Sequence, residues 1–181
     1  MKDSKIANLE AQRVSLFHKI HHLSEEELMH QPQIGKWSIL QIITHIVLSE
    51  ERSVEYVKKK TQDPSTLKPT NLKTWFLCKI MGIYLGLNLK AKAPKVVNPQ
   101  PDDVRSLQEL ESRWTKARME LENLSKLSPE VLSKGIFKHP KVGYMNFDQM
   151  LNFFSSHYGH HLAQVNAIVE TSEHYSKALA L

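Results

Sequence analysis

The sequence predicts an all-α fold, and three observations carry that prediction. Only 6 of its 181 residues are glycine. Its β-branched residues are scattered rather than massed in the short runs that sandwiches and barrels need. Apolar residues instead recur at three- and four-residue spacing through five segments, the pattern of helices that each bury one face.

The first segment runs from about Ser4 to Leu23, with Ile6, Leu9, Arg13, Leu16, Phe17 and Ile20 on one face. A short acidic turn at residues 24–28 follows, and Pro32 and Gly35 mark a loop. The second helix opens at Ser38, because Ser38 and Gln41 form an S-x-x-Q capping box. Trp37 before the cap and Ile42 at the fourth helical position have the spacing of a hydrophobic staple, and the helix ends near Lys60. Two prolines make residues 61–69 a connection. A third helix is expected from about Leu72 to Leu89, apolar enough for the core but too short and too interrupted by Lys79 to span a membrane. Three prolines make residues 93–101 a second connection. Asp102 or Asp103 could cap the fourth helix, which reaches about Leu127 on Leu107, Leu110, Trp114, Ala117, Leu121 and Leu124. Gly135, Pro140 and Gly143 make residues 128–143 irregular. Asn146 and Gln149 form an N-x-x-Q pair that starts the last helix, expected to reach about Ser172.

A chain of this length fits a single domain with a sizeable core, and no repeat or linker divides it. Hydrophobic content of 41% and charged content of 24% are ordinary for a globular protein. The one cysteine, Cys78, excludes an internal disulfide and a cysteine-rich zinc cluster, and the polar first residues lack the apolar core of a signal peptide. A cytoplasmic location is the resulting expectation. The net charge of +5 is spread in small clusters such as Lys58–Lys60 and Lys90, Lys92 and Lys95, with no aromatic-interleaved basic run. That reads as a solvated, mildly basic surface rather than specific nucleic-acid binding, and the expected partner is a small-molecule substrate. P-loop, G-x-S-x-G, G-x-G-x-x-G and H-E-x-x-H patterns are all absent from the sequence.

The histidines carry the chemistry. His157 and His161 are one turn apart on the last helix and leave its same face. At 100° per residue they fall within about 40° of Phe147, Met150, Phe154, Val165 and Ile168, the centre of the apolar stripe. Two imidazoles there need partners for their nitrogens: one metal ion would supply both, and core carbonyls or hydroxyls are the alternative. His160 projects about 100° away, a group that supports a ligand from behind or flanks the surface, with Gln164 one turn on to hold its ring. His45 falls about 130° from the apolar centre of the second helix and reads, alone, as a boundary histidine. Glu50 projects onto that apolar face as a support for a ligand histidine, a core ion-pair partner or an end-of-stripe residue. His18 and His22 also stand four apart, but at a polar helix end.

The W-S-x-x-x-x-x-x-H run (Trp37, Ser38, His45) together with H-x-x-H-H-x-x-Q (His157, His160, His161, Gln164) resembles the DinB-like superfamily over nearly the whole chain. The resemblance implies an antiparallel four-helix bundle of the up-down-down-up type, with long connections, an additional helical segment and a homodimeric assembly. It implies one divalent ion, nickel or zinc, held by His45, His157 and His161, with Glu50 near the site. Relatives include thiol S-transferases that use low-molecular-weight thiols such as bacillithiol. Thiol transfer is therefore the first functional expectation, and metal-dependent hydrolysis or a non-catalytic metal-binding role are the alternatives.

Overall fold

The computed structural model describes residues 2–87, 95–100 and 103–179. It is built from helices α1 (Lys2–Ile20), α2 (Glu25–Met29), α3 (Ile39–Thr61), α4 (Leu72–Gly86), α5 (Leu107–Ser125), α6 (Pro129–Ser133) and α7 (Phe147–Leu179), with a hairpin of strands β1 (Phe137–His139) and β2 (Gly143–Met145). The capping residues set the starts of α3 and α7 as the sequence predicts. Ser38 Oγ accepts from the Gln41 N–H at 3.2 Å while Gln41 Oε1 accepts from the Ser38 N–H at 3.0 Å. Asn146 and Gln149 exchange the same pair of bonds at 2.9 Å each.

Helices α1, α3, α5 and α7 form a four-helix bundle in which α3 packs on α5 and α7, and α1 packs on the same two helices. Cross-helix polar pairs give the directions. Lys5–Asp148, Gln12–Ser155 and Lys19–Asn166 advance in step, so α1 and α7 run parallel. Glu51–Arg113 and Lys58–Glu120 do the same for α3 and α5. Lys2 reaches the Ser125 carbonyl while His21 meets Glu111, so α1 and α5 run antiparallel. The order is up-down-down-up.

The core has two apolar layers. Phe17, Ile42, Ile43, Ile46, Trp114 and Val165 centre one; Leu9, Val57, Leu121, Phe147, Met150 and Phe154 centre the other. Between them lie the buried charges Arg13, Glu50 and Arg118, one each from α1, α3 and α5. Glu50 Oε1 accepts from Arg118 Nη2 at 2.7 Å and its Oε2 from Trp114 Nε1 at 3.0 Å. Burial pushes the Glu50 carboxyl up, and the Arg118 guanidinium and the Trp114 N–H oppose that push.

Four expectations need correction. Helix α4 is not a core helix: it lies on the flank of α7, with Leu72, Trp75, Phe76, Ile80 and Ile83 exposed and only Thr74 and Leu85 buried. Its sequence is apolar all round, so periodicity could not tell its packed face from its free one. It also ends at Gly86, and the expected continuation to Leu89 lies partly outside the described residues. Helix α5 starts later than expected, because its cap is Ser106, whose Oγ accepts from the Glu109 N–H at 3.2 Å. Asp103 instead caps a turn by accepting from the Gln100 N–H, and Asp102 lies outside the described residues. The acidic turn after α1 is the short helix α2, closed by a Ser24–Glu27 capping box. The irregular stretch before α7 contains α6 and the hairpin, in which Phe137 pairs with Met145 and His139 with Gly143. Gly135 lets the chain at Lys68 close on this region: its N–H donates to the Lys68 carbonyl at 2.8 Å, and a Cβ there would lie 2.7 Å from Tyr144 Cβ.

Candidate metal centre

The bundle brings His45 of α3 against His157 and His161 of α7. His157 Nε2 lies 3.1 Å from His45 Nε2 and 3.1 Å from His161 Nε2. One nitrogen from each ring falls within 4.8 Å of the other two. Two nitrogens each about 2.0–2.1 Å from one cation stand roughly 2.9–3.4 Å apart at angles of 90–110°, so the two short separations match shared coordination.

The far sides of two rings decide which nitrogen is bare. His45 Nδ1 is 2.7 Å from the Val97 carbonyl oxygen. A carbonyl can only accept, so the ring carries its proton on Nδ1 and turns an unprotonated Nε2 toward the other histidines. His161 Nδ1 donates to Gln164 Oε1 at 2.9 Å, with the same consequence. A proton on His157 Nε2 could satisfy one of these two lone pairs but not both. A cation satisfies all three nitrogens at once, so the donor set fits a metal ion better than it fits a network of protons.

Electrostatics agree. Burial, reinforced by the neighbouring rings, pushes His161 down to about 3 and His157 well below the ordinary imidazole range. Burial also lowers His45, against the Val97 hydrogen bond, which works to raise it. All three are therefore neutral at pH 7, the state a metal requires of an imidazole.

Aromatic rings wall the cluster. Trp37 lies 5.0 Å from the His45 ring and stacks at 6.3 Å on His161, and Phe153 stacks at 5.4 Å on His157. His139, on the hairpin, packs edge-on against Phe153 at 4.8 Å. The sequence offered Trp37 as a staple residue and as part of the motif shared with His45, and nothing in it marked His139 or the Val97 carbonyl as neighbours of the site.

His45 is buried, not at a boundary, because the first half of α3 is enclosed on every side. It packs on α5, α7, α2 and the turn at Lys95–Val97, and from Ile42 to Leu48 every residue is buried. Glu50 takes the ion-pair role among its three candidate roles, since its partners are Arg118 and Trp114 rather than a histidine. That corrects the expectation, drawn from the resemblance, that it serves the site. His160 is buried on the flank that α4 covers, with Nδ1 3.3 Å from the Leu85 carbonyl and Nε2 3.1 Å from Gln164 Nε2. His18 and His22 are exposed.

The sequence profile of the DinB superfamily matches residues 8–165. This chain belongs to the DinB superfamily. Similar proteins include one from Bacillus cereus (strain 03BB102) described as "Putative metal-dependent hydrolase", 24% identical over 173 residues that span 93% of this chain and 85% of the relative. A Bacillus mycoides (strain KBAB4) protein of the same description is 24% identical over 169 residues, with the same coverage. Among solved structures, YfiT from Bacillus subtilis, described as "a probable metal-dependent hydrolase with an unusual four-helix bundle topology", superposes with a TM-score of 0.57 at 20% identity, over 95% of this DinB-superfamily chain and 87% of YfiT. That likeness extends to the bundle fold.

Proposed function

We propose that this protein is a metal-dependent enzyme, that His45, His157 and His161 hold one divalent cation, and that it hydrolyses a small-molecule substrate. The observation that carries the reading is the convergence of three neutral Nε2 atoms, two of them fixed as bare lone pairs by Val97 and Gln164. A divalent cation held by three imidazoles supplies a Lewis acid with open positions, able to lower the pKa of a bound nucleophile. The protein's own groups do the rest. Val97 and Gln164 orient His45 and His161, and Trp37 and Phe153 keep water from the flanks of the rings. The descriptions of the relatives favour water over a low-molecular-weight thiol as the nucleophile.

The test is turnover of an ester, amide and lactone panel by Ni2+- and Zn2+-loaded protein without thiol. Turnover should vanish with a chelator and in His157→Ala. Conjugation of monochlorobimane that appears only with an added low-molecular-weight thiol would replace hydrolysis by thiol transfer. Tight metal uptake without turnover in either assay would leave a non-catalytic metal-binding protein.

A further inference from the structure

We infer that His160 and Gln164 are positioning residues that set the tautomer of His161 from the last turn of α4; the consequence for metal affinity rests on the metal reading above. The relay starts at the Leu85 carbonyl, which can only accept. His160 Nδ1, 3.3 Å away, therefore carries the ring proton. The neutral ring is left with a bare Nε2, and Gln164 Nε2 donates to it at 3.1 Å. With its amide nitrogen committed there, Gln164 must turn its oxygen to the other side, where Oε1 stands 2.9 Å from His161 Nδ1. That oxygen accepts, so His161 is protonated on Nδ1 and bare on Nε2, the atom 3.1 Å from His157 Nε2.

The opposite amide orientation fails at both ends. The Gln164 oxygen would face the bare His160 Nε2, two acceptors in contact. Its NH2 would demand a lone pair from His161 Nδ1 and so put the proton on His161 Nε2, inside the cluster. A His160 protonated on both nitrogens would require the amide to turn over as well, and that arrangement again puts the proton on His161 Nε2, inside the cluster, which is the form the ring spectra distinguish. One backbone carbonyl on α4 thus dictates, through two side chains, where a proton sits on α7. His160 is 6% exposed and Gln164 half-buried. This explains how His160, out of phase with His157 and His161, serves the same site.

The experiment uses the full chain, with 15N–1H multiple-bond correlation of the histidine rings in the metal-free protein and Ni2+ titration beside it. Wild type should show His161 protonated on Nδ1. Gln164→Leu should bring in the Nε2-protonated form and weaken Ni2+ binding about ten- to a hundredfold, the range for removing a group that orients a ligand. His160→Phe should weaken binding in the same direction, and the double variant should lose no more than Gln164→Leu alone, since both changes cut one chain. Gln164→Glu keeps an acceptor for His161 Nδ1 and should restore its tautomer, even if another substitution fails to fold. An Nε2-protonated His161 in wild type, or unchanged tautomer and affinity in Gln164→Leu, would overturn the proposal. A wild-type protein that shows the Nδ1 tautomer yet takes up no Ni2+ would instead uphold the relay and remove the metal reading.

Discussion

The His45 ring is tied to the Val97 backbone, Nδ1 to carbonyl oxygen at 2.7 Å, across 52 residues of chain. The turn at Lys95–Val97 thereby holds one wall of the histidine cluster in place. Metal uptake and the order of that turn should be linked, because whatever fixes His45 also fixes Val97. Ni2+ binding should slow amide hydrogen exchange at residues 95–100 well beyond the change in α1. Equal exchange with and without the ion would show that the Val97 carbonyl does not report on the site.

The three neutral rings make a prediction about pH. Their protonation lies below the ordinary value near 6.5, with His161 at about 3. Three ordinary imidazoles would lose roughly 60-fold in metal affinity between pH 8 and pH 6, because each would be mostly protonated at the lower value. Here the protons are already excluded, so Ni2+ affinity should change by only a few-fold over that interval. Calorimetric titrations at the two pH values decide it, and a decline approaching the larger figure would mean that burial is not holding the rings neutral.

The Glu50–Arg118 pair predicts a separation of stability from metal binding. Both groups are buried, at 2% and 6% exposure, so removing one leaves the other charged without compensation. Glu50→Ala should cost about 3–5 kcal/mol in chemical denaturation. Replacing the pair together by Glu50→Leu and Arg118→Met should cost less than that single change, since no orphaned charge remains. Both variants, where folded, should still bind one equivalent of Ni2+. Loss of metal from the folded double variant would return Glu50 to the site.

What the sequence made legible was whatever is local. Helix starts at Ser38 and Asn146 follow from side chains three residues apart, and the buried faces of α1 and α7 follow from their period. His157 and His161 were readable as a pair for the same reason. His45 was not, because projecting one helix assumes one buried face, whereas α3 is enclosed by four neighbours at that level. Glu50 could not be assigned a role, since its partners Arg118 and Trp114 are more than sixty residues away. The Val97 carbonyl has no side-chain signature at all, and the hairpin strands, three residues each, are too short to show an alternation.

His139, which packs on Phe153 beside His157, supplies a pH dependence of its own. Burial, helped by the nearby Lys141 charge, lowers it to about 4, and its Nδ1 accepts from the Lys141 and Val142 N–H groups at 3.3 Å each. Protonating Nδ1 would turn that acceptor into a donor and open the β1–β2 turn. The unfolded chain protonates this ring near 6.5 and the folded chain only near 4, so between those values the unfolded state binds more protons. The contribution is therefore intact above about 6.5 and is lost as the pH falls toward 4. His139→Asn keeps a short side-chain acceptor for the turn but cannot titrate. Its stability should fall less steeply than that of wild type across this window, by up to about one proton in the slope of unfolding free energy against pH. Urea denaturation at several pH values measures the two slopes. Identical slopes would show that His139 titrates in the folded protein as it does in the unfolded chain.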